Sequence, residues 1–218
     1  MNYGLCRNEK EAIAWVKRNK RFIKDKFANV KDYPPNNYPS TIFMAGAPGA
    51  GKTEFSKLFI KRFYESEKEK KIVRLDTDEI RKIIPGYHGY NASVFQSAAA
   101  LGIEYLIDKV YKGKQNALID TTFGLRQKAI SNVERAVKRN RNVTVFYLYQ
   151  DPLISWGFVK DRIRNGSRYV PRDFFIKSFF LARENANEVK EIFRGKVVLA
   201  IFILDENHKV ITSIFNID

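Results

Sequence analysis

The sequence predicts a three-layer α/β fold with a mostly parallel sheet and helices on both faces. Three observations support this: the apolar run 41–45 leads into a glycine-rich loop, the loop opens into an amphipathic helical pattern, and three more apolar runs follow, each separated by a helical pattern. Such alternation is typical of a right-handed wound parallel sheet. An N-terminal helix and a C-terminal hairpin over residues 197–216 are expected to complete the fold.

The glycine-rich loop over residues 46–53 has the pattern G-x-x-x-x-G-K-T, the P-loop of nucleotide-binding proteins. Glycines let consecutive N–H groups line one concavity, and the following helix adds the positive end of its dipole. We expect Lys52 to reach the β- and γ-phosphates and Thr53 to offer its hydroxyl to Mg²⁺. The predicted ATP-binding residues are Gly46, Ala47, Pro48, Gly49, Ala50, Gly51, Lys52, Thr53 and Glu54. A tight turn without a ligand is the alternative, and the motif alone does not distinguish a kinase from a GTPase or a motor.

The 218 residues, of which 44% are hydrophobic, suffice for one substantial core. We divide them into an N-terminal amphipathic helix and linker, residues 1–39, and a domain of the P-loop NTPase type, residues 40–218. Apolar residues recur at near-helical spacing over residues 8–28, where Trp15 and Phe22 are expected to broaden the buried face. Three prolines then end the helical pattern.

A formal charge of +15 favours anionic partners such as nucleotides, nucleic acid or an acidic protein. A solvated basic surface is the alternative, because basic residues occur in nearly every predicted helix. The single cysteine, Cys6, cannot form an internal disulfide. The apolar runs are much shorter than the ~20 residues that span a bilayer, and the N-terminus has no apolar signal core. We therefore expect a cytoplasmic protein that does not enter a membrane.

Acidic residues close two of the predicted strands. The run 72–75 is followed by Asp76 and Asp78, which on an extended chain would share a side and could both face the phosphate crevice. One of them could act as a base, whereas the alternative is that either only caps the helix beginning near Glu79. Asp120 closes the next strand, in the Walker B position that holds Mg²⁺ directly or through water.

Further charged residues fall where an acceptor or a lid could lie. Glu104 lies in an otherwise apolar helical stretch at 98–112, so its carboxylate is either exposed or directed into a substrate site. Arg162, Arg164 and Arg168 surround a turn after the last nucleotide-binding strand, which is the position of a kinase lid. Guanidinium groups suit transferring phosphates, although a solvated basic helix is the alternative.

With these motifs in view, the chain resembles the zeta-toxin family of P-loop kinases over roughly residues 40–210. Zeta toxins transfer the γ-phosphate of ATP to the 3′-hydroxyl of the amino sugar in UDP-N-acetylglucosamine, and a small antitoxin protein restrains many of them. The resemblance implies an ATP- and Mg²⁺-dependent phosphotransferase with an alcohol acceptor. It does not settle an antitoxin partner, because residues 8–28 are not the usual toxin N-terminus.

The resemblance also implies roles for single residues, with Asp78 as the base that takes the proton from the sugar hydroxyl. Together with the motifs, it predicts catalytic roles for Lys52, Arg162 and Arg168, substrate contacts for Asp76, Glu104, Thr122 and Arg164, and metal binding by Thr53 and Asp120. Two points depart from the family. The segment between the lid arginines is short, so Arg164 could replace Arg162, and Asp120 stands where zeta toxins often carry Glu.

Two rival functions stay open beside this one. An RNA or polynucleotide kinase would keep the fold and suit the basic charge. A nucleotide-dependent binding or switch module would hydrolyse ATP without an acceptor.

Overall fold

The computed structural model describes residues 5–67, 71–165 and 169–215. Its strands are β1 Ser40–Ala45, β2 Ile72–Asp76, β3 Asn116–Asp120, β4 Asn142–Tyr149, β5 Val197–Leu204 and β6 Val210–Phe215. They form one sheet in the order β2-β3-β1-β4-β5-β6. The first five strands in this order are parallel to their neighbours, and β6 pairs antiparallel with β5. The predicted parallel sheet and terminal hairpin are confirmed.

The helices are α1 Glu9–Arg18, α2 Lys20–Phe27, α3 Lys52–Ser66, α4 Thr77–Ile83, α5 Gln96–Lys112, α6 Arg126–Val137, α7 Pro152–Arg164 and α8 Arg172–Ile192. The prediction of one helix over residues 8–28 is wrong, because α1 and α2 meet at Asn19. This residue leaves helical geometry at φ −98° and ψ 18°, and its side-chain amide donates to the Trp15 carbonyl oxygen at 2.8 Å. Trp15 is buried as expected, but Phe22 is 50% exposed.

Helices cover both faces of the sheet, as the sequence predicts. On one face, Phe55, Phe59 and Phe63 of α3 pack against β1, β3 and β4. On the other face, α1, α4, α5, α6 and α8 contribute to a larger core. The N-terminal helices share this core through contacts with α5, while the domain boundary at residue 39 stays a prediction. Within the described residues, no helix has the length and apolar character needed to cross a bilayer.

Two buried polar side chains make hydrogen bonds at the amino-terminal edge of the sheet, and one of them reaches the linker. Gln115 donates to the carbonyl oxygen of Tyr33 at 2.7 Å. Arg141 donates to Thr41 Oγ1 at 2.6 Å and to the Ser40 carbonyl oxygen at 2.9 Å. Burial lowers the pKa of Arg141 to about 10, which still leaves it charged at neutral pH. The opposite, carboxyl edge of the sheet carries the P-loop.

Candidate active site

The P-loop joins β1 to α3 and is held by close backbone packing. Gly46, Gly49 and Gly51 have φ angles of 141°, 80° and 77°, which L side chains rarely adopt. A Cβ atom would lie 2.6 Å from the Leu148 carbonyl oxygen at Gly46, and 2.2 Å from the Ser155 carbonyl oxygen at Gly49. The glycines therefore let the loop lie directly against the end of β4 and the first turns of α7.

Lys52 is the first residue of α3, and its side chain folds back over the loop. Its Nζ donates to the carbonyl oxygens of Gly46 at 2.9 Å and Ala47 at 2.7 Å. The N-cap of α3 is Gly51, so no side chain caps the N–H groups of the first turn. A fixed positive charge beside uncapped helix N–H groups is the arrangement that binds phosphate. The P-loop therefore has the geometry needed to bind a nucleoside triphosphate.

The turn between β5 and β6 lies against the last glycine of the P-loop. A Cβ on Gly51 would lie 2.8 Å from Cδ2 of His208, and the His208 ring is 4.2 Å from that of Phe158 on α7, between centroids. We expect Gly51→Ala to destabilise the protein by about 1–3 kcal/mol through backbone strain and this contact. Chemical denaturation followed by circular dichroism would measure the loss.

Gly157→Ala is the matched control for that substitution. Gly157 lies inside α7, and a Cβ there would meet no atom within 4 Å. Because alanine favours helix more than glycine does, the control should gain up to about 1 kcal/mol. An equal effect of both substitutions would contradict the special role of Gly51.

An acid pair lies beside the P-loop at the ends of β2 and β3. Asp76 and Asp120 are partners across the two strands, and Arg74 Nη2 donates to Oδ2 of each at 2.7 Å. The pKa of Asp120 is raised, mainly by burial and further by repulsion from Asp76, while Lys52 and Arg74 act to lower it and reduce the rise. Burial alone would lower the pKa of Arg74, but the two carboxylates raise it overall. Lys52 therefore acts electrostatically on Asp120, which the sheet register places beside Asp76.

Asp78 lies in the first turn of α4 and not on an extension of β2. The expectation that Asp76 and Asp78 share one side of an extended chain is wrong, because the strand ends at Asp76. The Asp76 carboxylate caps α4 by accepting from the Asp78 N–H at 2.8 Å. Asp78 itself is 48% exposed at its side chain and accepts from Arg81, which is buried and also donates to Gln96. A buried guanidinium thus holds an accessible carboxylate at the same sheet edge as the P-loop.

The residues predicted to hold Mg²⁺ are compatible with it. Asp120 places a buried carboxylate at the end of β3, and Thr53 lies in the first turn of α3. Among residues 5–67, 71–165 and 169–215, no group of three or more His, Cys, Asp or Glu side chains could enclose a metal. Mg²⁺ usually takes one or two carboxylates together with phosphate oxygens and water, which this pair would allow.

Glu104 and Thr122, two of the predicted substrate residues, lie in different surroundings. The carbonyl oxygen of Thr122 accepts from the Gly46 N–H at 3.4 Å, so Thr122 adjoins the P-loop. Glu104 on α5 instead pairs with Arg135 of α6 at 2.5 Å. The structure brings Thr122 to the P-loop but binds Glu104 to a neighbouring helix, and the substrate role of each stays a prediction.

The arginines predicted to form the lid also lie in different surroundings. Arg162 Nη2 donates to Glu54 Oε1 at 2.9 Å, which links the end of α7 to the first turn of α3. Arg164 pairs with Asp161 on its own helix at 3.2 Å, and its side chain is 75% exposed. Arg168 lies outside the described residues. Of the two described arginines, Arg162 is the one in contact with the P-loop helix.

Two arginines of this site are absent from the sequence predictions. Arg74 lies in an apolar strand, where a lone basic residue two positions before a terminal aspartate signals a buried ion pair. Arg81 follows Asp78 by three residues, a spacing at which helical side chains meet. Both signals are present in the sequence, but neither identifies a functional residue by itself.

The comparisons with known proteins agree on family and fold. The family model described as Zeta toxin matches residues 24–218. A structure from the PezAT chromosomal toxin–antitoxin system of Streptococcus pneumoniae is 19% identical with a TM-score of 0.64, and the match covers 94% of this chain and 80% of that chain. The AvrRxo1-ORF1:-ORF2 structure with ATP is 13% identical with a TM-score of 0.65, over 95% of this chain and 66% of that one. No curated protein matches the sequence.

Proposed function

The chain belongs to the zeta-toxin family, and we propose that it transfers the γ-phosphate of ATP to a small-molecule hydroxyl, namely the amino-sugar 3′-hydroxyl of a UDP-N-acetylhexosamine. Family and fold together identify a P-loop kinase. The observation that carries the proposal is the placement of Asp78 at the carboxyl edge of the sheet, beside the strand whose Asp120 interacts with Lys52. An accessible carboxylate and a phosphate cradle at one edge suit transfer to a hydroxyl.

In the proposed reaction, the oxygen of the acceptor hydroxyl forms a bond to the γ-phosphorus, and Asp78 accepts the proton that this hydroxyl loses. The bond from that phosphorus to the bridging oxygen breaks, and ADP leaves. Lys52 and the N-terminus of α3 offset negative charge on the phosphates, and Arg162 can do so from α7. Thr53 and Asp120 would hold Mg²⁺, which supplies further positive charge beside the transferring group when bound.

Acceptor identity is tested by product analysis. Purified protein would be incubated with labelled ATP, Mg²⁺ and a panel of UDP-sugars, nucleosides and RNAs, and the products identified by mass spectrometry. A phosphorylated UDP-N-acetylhexosamine is the expected product. Phosphate on RNA 5′ ends, with binding that falls steeply as salt increases, would replace the proposal with an RNA kinase. ADP and inorganic phosphate alone would indicate a switch module.

A small antitoxin protein is part of the proposal as a partner. The support is the likeness in fold to the PezAT toxin–antitoxin system. Co-expression with a small protein encoded beside the kinase should relieve any growth defect that the kinase causes. A growth defect that no neighbouring gene product relieves would count against such a partner.

Arg162 and Arg164 give a matched test of the lid. We expect Arg162→Ala to lower kcat by about 10²-fold, because it removes a cation that contacts the P-loop helix. Arg164→Ala should stay within about twofold of the parent, since its partner is a solvent-exposed residue of its own helix. Steady-state kinetics at saturating ATP would measure both. A larger loss in Arg164→Ala would assign the lid role to that residue.

A further inference from the structure

Arg74 lies at the centre of the charged groups beside the P-loop. Its Nη2 donates to both Asp76 and Asp120, and its Nε donates to Ser56 Oγ on α3 at 2.9 Å. The side chains of Arg74, Asp76 and Asp120 are 15%, 11% and 9% exposed. One guanidinium therefore neutralises two carboxylates that the sheet register holds side by side.

We propose that Arg74 is a resident counter-cation that occupies the carboxylates of Asp76 and Asp120 and makes metal binding at this site depend on bound nucleotide. This rests on the proposed function in one respect, namely that Asp120 is a metal ligand. Arg74 itself touches neither nucleotide nor acceptor in the proposal. It is a positioning residue that acts through the two aspartates.

The charges of the side chains around Arg74 support this role. Asp76 and Asp120 carry two negative charges, while Arg74, which donates to both, and Lys52, which acts on Asp120, carry two positive ones, so these four side chains have no net charge before any ligand binds. A divalent cation approaching Asp120 alone would meet two positive charges and would have to displace a hydrogen-bonded guanidinium. Nucleotide phosphates make the net charge beside Asp120 negative, and Lys52 forms stronger hydrogen bonds with them than with the loop carbonyl oxygens. The metal is then expected to enter with the nucleotide.

Arginine suits this role better than lysine. Its guanidinium stays charged at any working pH, and its planar set of donors reaches both carboxylates and the α3 hydroxyl at once. A lysine ammonium is a compact point charge that holds such a set less rigidly. If Arg74 were purely structural, its substitution would lower the stability of the protein without any gain in metal affinity.

The test is Mn²⁺ binding to nucleotide-free protein, measured as the loss of the free Mn²⁺ signal in electron paramagnetic resonance. We expect Arg74→Met to bind Mn²⁺ about tenfold tighter than the parent, because the acid pair loses its counter-cation. Arg74→Lys should fall between the two. With a non-hydrolysable ATP analogue present, the difference between parent and variant should shrink.

Arg21→Met is the control, since it removes one arginine charge while freeing only the exposed carboxylate of Asp25 on the same helix, α2. It should leave Mn²⁺ affinity unchanged. Equal or weaker Mn²⁺ binding by folded Arg74→Met would overturn the proposal, and if that variant does not fold, unchanged binding by Arg74→Lys would do so. No acceptor or turnover enters the measurement, so failure to phosphorylate a UDP-sugar would leave this result intact.

Discussion

Lys52→Ala should lower kcat for phosphoryl transfer by about 10²–10³-fold, or about 3–4 kcal/mol in the barrier. The Lys52 ammonium lies over the P-loop on two carbonyl oxygens, which it would exchange for phosphate oxygens when ATP binds. Alanine is a good helix former, and the start of α3 should survive the change. Transfer rates at saturating ATP and acceptor would measure the loss.

Lys57→Ala is the control for charge alone. Lys57 lies on the same helix and is exposed to solvent, so its removal changes the net charge equally without touching the loop. It should retain nearly full turnover. Parent-like activity in Lys52→Ala, or an equal loss in Lys57→Ala, would contradict the assigned role of Lys52.

Asp78→Asn should lower kcat by about 10²–10⁴-fold while leaving ATP affinity nearly unchanged. The amide keeps the size of the side chain and an oxygen that can accept from Arg81, but it cannot take the proton of the acceptor hydroxyl. Turnover and the dissociation constant of ATP would be measured separately. Their separation distinguishes a base from a residue that only supports the fold.

Glu79→Gln is the neighbouring control, because Glu79 pairs with Lys82 at the surface. It should keep turnover close to that of the parent. Retained transfer by Asp78→Asn would exclude Asp78 as the base, and Asp76 would not take its place readily because both of its carboxylate oxygens already accept hydrogen bonds.

The regular parts of the fold could be predicted from sequence because their signals are local. The P-loop has a fixed spacing, and the apolar runs give the strands and their order along the chain. The break at Asn19 could not be predicted in the same way, because it depends on one residue leaving helical geometry within a continuous apolar pattern. The alternation rule placed Asp78 wrongly, since a capping aspartate ended the strand earlier than the rule assumes.

For the candidate site, the sequence names single residues whose roles stay predictions, but it gives neither their pairings nor the roles of Arg74 and Arg81. Asp120 and Lys52 follow from motifs, whereas the link between Arg74 and two carboxylates depends on which strands become neighbours. The contact of Arg162 with Glu54 likewise joins helices that are far apart in sequence. Such partners become visible only when the sheet order is known.

The packing of His208 against Gly51 also offers a spectroscopic reporter of nucleotide occupancy. The chain has two histidines, so its imidazole signals are few. Those of His208 should shift in NMR spectra when ATP enters the loop, because this ring packs against Gly51. A titration of this kind would follow ligand entry without an added label.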